Sequence, residues 1–399
     1  MDSIQYLLSI ETRGIKLGIK RTLDIMDACG NPHAGMPSIQ VAGTNGKGSV
    51  CAILANIFRA EGYKTGLFTS PHLINVNERI RINGVSISNN DIHLFIQKYK
   101  IVIEKINATF FETITAMAFW YFKKESVDVA ILETGLGGRL DSVSICEPIA
   151  TIITPISIDH IEVLGDSLQK IAFEKAGVLK KGVECISAKQ EKSAADVLID
   201  QANKKGCPLS FINGKSHSEY IMNIPGKHQQ ENAHLSVSAL SHIKQFNFSK
   251  NSISKGLLSV KWYGRNQVIQ NNPHVIFDVA HNTAGIKSFL DYYNSLKIID
   301  SSVLIIALQS RKHIESVIPI LTSTFKFIVC TETGGQNPMP ADKLGRLFTN
   351  YNINIITKPE EAILWGLKKL SNNGAMAIIG THYLGPAVSN VFKISFDNY

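Results

Sequence analysis

The sequence predicts an α/β protein of two domains, each built on a largely parallel sheet, and three observations carry that expectation. Short β-branched runs recur along the chain, segments with helical spacing of apolar residues separate them, and one run ends in a glycine-rich turn that leads into a helical stretch. In the first half the runs are Ile39 to Val41, Val127 to Leu132, Ile149 to Thr154 and Val183 to Ile186. They are mostly continuous rather than alternating, which is how strands covered on both faces read. A second series comprises Val275 to Val279, Val303 to Ala307, Phe327 to Cys330, Ile353 to Ile356 and Ala375 to Ile379. Helical spacing around 285–296, 313–323, 359–370 and 384–392 lies between them. The polar stretch 243–256, followed by Lys261-Trp262-Tyr263-Gly264-Arg265, is the best candidate for a junction, so the domains are taken as 1–262 and 263–399.

The bulk numbers narrow the class. A chain of 399 residues that is 44% hydrophobic suits two or three cores at the usual ~150 residues per domain. The opening MDSIQYLLSI lacks the basic start and long apolar core of a signal peptide. The most apolar stretch elsewhere, Val303 to Leu308, is far short of the ~20 residues a bilayer span requires, so a soluble, cytoplasmic protein is expected. Six cysteines are scattered without a CxxC pair, which fits neither a disulfide framework nor a structural zinc site and reads as small buried hydrophobes. A net charge of +8 is compatible with nucleic acid, an anionic membrane face or anionic small substrates. The basic residues come singly or in pairs and no aromatic-interleaved basic stretch is present, which argues against nucleic acid as a partner.

The strongest local pattern is Val41-Ala42-Gly43-Thr44-Asn45-Gly46-Lys47-Gly48-Ser49, a strand end entering a glycine-rich turn and then a helical stretch. Glycines at 43, 46 and 48 let the backbone turn tightly and aim N–H groups at phosphate oxygens, and the helix start adds positive potential. Lys47 would meet the β- and γ-phosphates and Ser49 would offer its hydroxyl to Mg²⁺. An extra glycine separates the lysine from the serine, so the spacing departs from the common phosphate loop. Mg²⁺ calls for hard oxygen ligands at neighbouring strand ends, and Glu133, at the end of Val127 to Leu132, is placed for that.

GTNGKGS is the form of phosphate loop seen in the Mur-ligase superfamily, and the chain resembles the dihydrofolate synthase/folylpolyglutamate synthase family through most of its length. Glu133-Thr134-Gly135-Leu136-Gly137-Gly138-Arg139-Leu140-Asp141 is similar to a family motif whose glutamate binds Mg²⁺. Thr154-Pro155-Ile156-Ser157-Ile158-Asp159-His160 and Phe173-Glu174-Lys175-Ala176-Gly177 match further segments. By that resemblance His160 joins a second Mg²⁺ and Lys175 is carbamoylated by CO₂, which turns a cation into a carboxylate-like ligand once its amine is neutral. The resemblance implies metal ligands at Ser49, Glu133, His160 and Lys175. It implies a pterin site at Leu17, in Ile15-Lys16-Leu17-Gly18, and at Phe111. It also places Ser70 and His72, in Thr69-Ser70-Pro71-His72-Leu73, near the incoming carboxylate.

Further along, Gly226-Lys227-His228-Gln229-Gln230-Glu231-Asn232-Ala233 resembles a nucleotide-contacting segment, implicating His228, Gln229 and Asn232. Gly264-Arg265 and Phe277-Asp278-Val279-Ala280-His281-Asn282 resemble motifs that send Arg265, Asp278 and His281 to the nucleotide and the reacting phosphate. The family fold is an N-terminal P-loop, Mur-ligase-like ATPase domain with a mostly parallel sheet, followed by a C-terminal Rossmann-like α/β domain. The implied activity is ATP-dependent ligation of L-glutamate to dihydropteroate, and to the γ-carboxyl of reduced folates, through an acyl phosphate. Lys47, Lys175, Arg265 and His281 are the implied catalytic groups, catalysis is expected to require the domains to close, and a monomer acting on small molecules is expected.

The chain departs from the pattern in three places. Ser142-Val143-Ser144 stands where Ala-Thr-Asn is usual, Thr283 stands for a proline, and Gln309-Ser310-Arg311-Lys312-His313 replaces an Asp-Lys-Asp loop, which puts glutamate-site details and tail extension in doubt. Two other readings are weighed. Another Mur-superfamily amino-acid ligase would lack the IKLG and SPHL segments, and intact Lys47, Glu133, His160 and Lys175 speak against a non-catalytic ATP-binding relative.

Overall fold

The central apolar runs become strands because they are buried: Ser38–Ala42, Val129–Glu133, Ala150–Ile153, Ser302–Ile306 and Ala375–Ile379 are covered at every residue. β1 (Ser38–Ala42), β2 (Thr65–Phe68), β3 (Ile80–Ile82), β4 (Val85–Ser86), β5 (Val129–Glu133), β6 (Ala150–Ile153), β7 (Glu184–Ala188) and β8 (Leu209–Ile212) form one sheet in the order β4-β3-β2-β5-β1-β6-β7-β8. All five residues of β1 and of β5 are buried, and every pairing from β2 through to β8 is parallel. Only the pairings β2–β3 and β3–β4, at one edge of the sheet, are antiparallel. The computed structural model describes residues 2–212, 220–297, 300–310, 312–335, 337–349 and 351–396.

Helices cover both faces, as a parallel sheet demands. On one side Phe95, Phe119, Phe122 and Ile114 pack with Phe68 and Leu132; on the other Ile171, Val178 and Leu198 pack with Ile153 and Cys185. The helix Lys47–Glu61 follows β1 and is bounded by glycines in the left-handed region, Gly46 at φ 89° and Gly62 at φ 102°.

A second sheet contains β9 (Gln267–Gln270), β10 (His274–Asp278), β11 (Ser302–Ile306), β12 (Phe327–Cys330), β13 (Asn354–Ile355) and β14 (Ala375–Ile379), ordered β13-β12-β11-β14-β10-β9. It is parallel except for β9. Helices Thr283–Ser295, Pro359–Lys369 and Gly385–Phe392 alternate with its strands. No helix among the described residues is long and apolar enough to cross a membrane. All six cysteines are free, and Cys29 is half-buried while the others are buried.

The chain divides into two compact units, Met1–Asn223 with Gln230–Val260, and Ile224–Gln229 with Lys261–Tyr399. This differs from a cut at 262/263 in two respects: the boundary falls two residues earlier, at 260/261, and the hexapeptide Ile224–Gln229 groups with the second unit, held there by the Asn266 side chain, whose Nδ2 donates to the Pro225 carbonyl at 2.9 Å. The stretch 243–256, expected as a junction, is instead part of the first unit's packing. Phe246 and Phe248 stack edge-on against Phe58 at 5.1 and 4.7 Å, and the helix Lys250–Ser259 lies so close to Lys47–Glu61 that a Cβ on Gly256 would sit 2.6 Å from Ile57 Cα. Its polar composition reflects a helix that needs only small residues, Ser252 and Gly256, at a close crossing.

Candidate active site

In the first unit β1 lies between β5 and β6, so the chain leaves the sheet in opposite directions on either side of β1, the kind of position where open α/β sheets bind ligands. The carboxyl ends of these three strands carry Gly43 to Ser49, Glu133 and His160, while Ser70 and His72 follow the neighbouring β2. β1 enters Gly43-Thr44-Asn45-Gly46, where Gly43 has φ 140° and a Cβ would lie 1.8 Å from Thr154 Oγ1, while one on Gly46 would lie 2.5 Å from Asn232 Oδ1. Only glycine fits at either place.

The loop after β6 fixes this turn. The N–H groups of Thr44 and Asn45 donate to the Pro155 carbonyl at 3.0 and 3.4 Å, the Ser157 N–H donates to Thr44 Oγ1 at 3.0 Å, and Asn45 Nδ2 donates to Ser157 Oγ at 3.2 Å. Lys47 Nζ folds back on the Thr44 carbonyl at 3.1 Å. The N–H groups of Lys47, Gly48 and Ser49 form the first turn of the helix, where no earlier carbonyl of the helix serves them and anions are favoured. Ser49 Oγ is buried without a hydrogen bond, as suits a hydroxyl kept for a metal ion.

Lys175, at the end of the helix Leu168–Lys175, is buried, and its Nζ donates to the Gly43 carbonyl at 2.5 Å. Burial, with Lys47 adding to it and Asp159 and Asp141 opposing, brings its pKa down to about 7. Much of the amine is therefore neutral near neutrality and able to add CO₂. Glu133 closes β5, buried, with Oε2 accepting from the Ser70 N–H at 2.9 Å. His72 accepts from Arg79 Nε through Nδ1 at 2.8 Å, and burial together with Arg79 holds its pKa down to about 3, so it is a neutral acceptor and no proton donor near neutrality.

His160 sits apart in character. Its backbone is left-handed (φ 52°), its side chain is exposed, and Nε2 lies 4.0 Å from Asp159 Oδ1. Among the described residues no three of His, Cys, Asp or Glu are grouped to hold a metal ion. The donors present, the Ser49 hydroxyl and the Glu133 carboxylate, suit Mg²⁺, which takes one or two protein oxygens and completes its shell with phosphate and water.

Gly18, next to Leu17, and Phe111 meet the same loop after β5. Leu17 is 50% exposed, and its neighbour Gly18 donates to the Leu140 carbonyl at 3.3 Å. The Phe111 ring covers Gly135, where a Cβ would lie 2.3 Å from Cζ. The departures Ser142 and Ser144 turn inward. Ser142 Oγ accepts from Thr22 Oγ1 at 3.0 Å, and Ser144 Oγ accepts from Gln40 Nε2 at 2.8 Å while donating to the Gly138 carbonyl at 2.5 Å.

In the second unit Asp278 ends β10 and organises its surroundings, Oδ2 accepting from the Asn266 N–H and Oδ1 from the Ala280 N–H, both at 2.7 Å. Arg265 is half-buried and donates from Nη1 to the Gly264 carbonyl at 2.9 Å. His228 shares this neighbourhood: burial lowers its pKa, Asp278 opposes and Arg265 reinforces the shift. Gln229 Nε2 donates to His228 Nε2 at 3.1 Å. His281 Nδ1 lies 2.9 Å from the Val279 carbonyl, which puts a proton on Nδ1 and leaves the lone pair of the neutral ring on Nε2. Asn282 caps the helix Thr283–Ser295 by accepting from the Gly285 N–H at 2.8 Å. His228, Gln229, Arg265, Asp278 and His281 thus belong to one unit, whereas Asn232 belongs to the first, against Gly46.

The model of the Mur ligase middle domain matches residues 41–247. The dihydrofolate synthase/folylpolyglutamate synthase of Bacillus subtilis is 33% identical over 310 residues, covering 70% of this chain and 72% of that one. The Escherichia coli protein of the same name is 30% identical over 359 residues, 86% of this chain and 83% of that one. The chain belongs to the dihydrofolate synthase/folylpolyglutamate synthase family of Mur ligases. Solved members of this family share the fold along nearly the whole length. E. coli FolC in complex with DHPP and ADP superposes with TM-score 0.90 at 26% identity, over 98% of this chain and 97% of that one. A bifunctional folylpolyglutamate synthase/dihydrofolate synthase with Mn, AMPPNP and L-glutamate bound gives 0.88 at 25%, over 99% and 98%.

Sequence reasoning overlooked some groups that shape this Mur-ligase site. Gln190 holds the loop after β6, accepting from the Ile156 N–H at 2.9 Å and donating to the Thr154 carbonyl and Ser187 Oγ, each at 3.1 Å. Asp141 is buried and accepts from the N–H groups of Leu136 and Val143 at 2.7 and 2.9 Å. In the altered loop after β11, Ser310 donates from its N–H to the Asn337 carbonyl at 2.8 Å, while Arg311 lies outside the described residues.

Proposed function

We propose that this chain joins L-glutamate to dihydropteroate, and to the γ-carboxyl of reduced folates, with cleavage of ATP to ADP and phosphate. The observation that carries the reading is the buried Lys175 amine seated on the Gly43 carbonyl, beside the helix start whose N–H groups, with the Lys47 and Ser49 side chains, are suited to a triphosphate. Glu133 and Ser49 would hold Mg²⁺, with carbamoylated Lys175 and His160 toward a second ion; bound metal supplies charge neutralisation of the phosphates.

In the first step the acceptor carboxylate takes the γ-phosphoryl group, with Lys47 and Arg265 spreading the charge, and ADP leaves. In the second, the neutral amine of glutamate attacks the acyl carbonyl, phosphate departs and the amine loses a proton. His281, with its lone pair on Nε2, is the candidate base. Small molecules are the only partners in this reading: it acts as a cytoplasmic monomer, without nucleic acid or membrane.

The test is phosphate release by the purified chain with ATP, Mg²⁺ and L-glutamate, comparing dihydropteroate with tetrahydrofolate and weighing the products. Activity on both is the expected outcome; on neither, the reading falls. Lys175→Ala should lower turnover by ~100-fold or more with the fold intact, and acetate should restore part of it by standing in for the carbamate. Turnover like the wild type in Lys175→Ala would sink the carbamate assignment.

A further inference from the structure

The segment between the turn Ile10–Arg13 and Lys20 is tied down at both ends by arginines. Arg13 pairs with Glu104 at 2.7 Å and donates to the Ala108 carbonyl at 2.7 Å. At the other end Arg21 meets Glu112 through Nε, at 2.8 and 3.1 Å to the two oxygens, and through Nη2 at 2.8 Å, while Nη2 also donates to the Lys16 carbonyl at 3.1 Å. Lys16 Nζ donates to the Asn107 carbonyl at 3.0 Å between them.

Glu112 is a shared anchor. It is 2% exposed, stands in the first turn of the helix Phe110–Lys124, and accepts from the Thr109 N–H at 2.7 Å as half of a capping box. Its neighbour Phe111 lays its ring on Gly135. The loop opposite, restrained at Arg13, Lys16 and Arg21, still leaves Ile15 65% and Leu17 50% exposed. Two aliphatic side chains held outward on a tethered backbone have already lost much of the freedom that binding an apolar ring would otherwise cost.

We infer that Arg21 is a positioning residue for the acceptor. Its fork on Glu112 locks residues 14–19 to the helix of Phe111, so that Ile15 and Leu17 stand ready for a flat, apolar-faced substrate. This rests on the functional reading above. The pair is largely buried, so removing one partner is felt more than at a surface pair.

The experiment is steady-state kinetics on the full chain for Arg21→Leu, Arg21→Lys and Glu112→Gln, varying dihydropteroate and ATP in turn. Arg21→Leu keeps the cap between Thr109 and Glu112 and should raise the acceptor KM roughly tenfold while the ATP KM stays within about twofold. Arg21→Lys should recover part of the loss, since an ammonium keeps the charge but not the fork. If Arg21→Leu fails to fold, Glu112→Gln, which retains an acceptor oxygen for Thr109, should give the same split. An unchanged acceptor KM, or equal rises for acceptor and ATP, would overturn the inference by leaving Arg21 a merely structural clamp. Absence of acceptor-dependent phosphate release in the wild type is a different failure, which removes the functional reading and this inference together.

Discussion

A carboxylate buried as deeply as Asp141 has to be held by something, and here it is the N–H groups of Leu136 and Val143. Burial outweighs them and raises its pKa from 3.8 to about 6. The folded chain therefore binds more protons than the unfolded one across that window, so this group's stabilisation is complete below about pH 4 and is lost as pH rises through about 6. The difference in unfolding free energy between the wild type and Asp141→Asn, from urea titration, should change with pH in that window by up to about 3 kcal/mol; a constant difference would contradict the shift. Gln190 makes a second residue-scale case. Gln190→Leu removes the donor and acceptor that hold Thr154 and Ile156, and should cost about 1–3 kcal/mol in urea unfolding. The ATP KM should rise with it, since Ser157 on that loop holds Thr44 and Asn45; an unaltered KM would show the loop holding its place without Gln190. Neither role was legible beforehand, because Gln190 acts 34 residues away in sequence and a lone glutamine carries no local pattern.

At the scale of elements, legibility followed runs of β-branched residues more than burial: Ile353 to Ile356 announced the partly buried β13, whereas β2, Thr-Gly-Leu-Phe and buried throughout, was not read. β1, β5 and β6 contain short β-branched runs buried at every position and were readable, as were β10, β11, β12 and β14. β3 and β4 were not read as a hairpin, although the Asn83-Gly84 turn between them, at φ 50° and 87°, is a two-residue turn chemistry that sequence can announce. The helix Lys250–Ser259 was hidden for another reason: besides Leu257 its buried face is made of small residues, Ser252 and Gly256, which look like a linker. Gly256→Val tests that contact directly. With Ile57 Cα only 2.6 Å from the new Cβ, the two helices must separate, and unfolding should cost about 1–3 kcal/mol less. Thermal unfolding checks it, and an unchanged midpoint would mean that the crossing yields without loss.

For the whole molecule, the candidate groups are divided between two units: Lys47, Glu133 and Lys175 in one, Arg265, Asp278 and His281 in the other. The broad two-domain plan was visible in the two series of strands, but the membership of Ile224–Gln229 in the second unit was not, since it depends on Asn266 reaching Pro225 from 41 residues on. The family motif that runs from Gly226 to Ala233 therefore contributes His228 to the surroundings of Asp278 and Asn232 to the turn at Gly46. If one reaction draws on both units, substitutions in either should silence it in different ways. Lys47→Ala should weaken nucleotide binding and lower kcat. Arg265→Ala should leave nucleotide binding within a few-fold and lower kcat by ~100-fold or more, the usual loss when a charge-stabilising donor is removed. Equilibrium binding of ADP measured beside turnover separates the two effects. Wild-type kcat in Arg265→Ala would mean that the second unit supplies no charge to the transferring phosphoryl group, and would confine the phosphoryl-transfer step to the groups around Gly43 to Ser49.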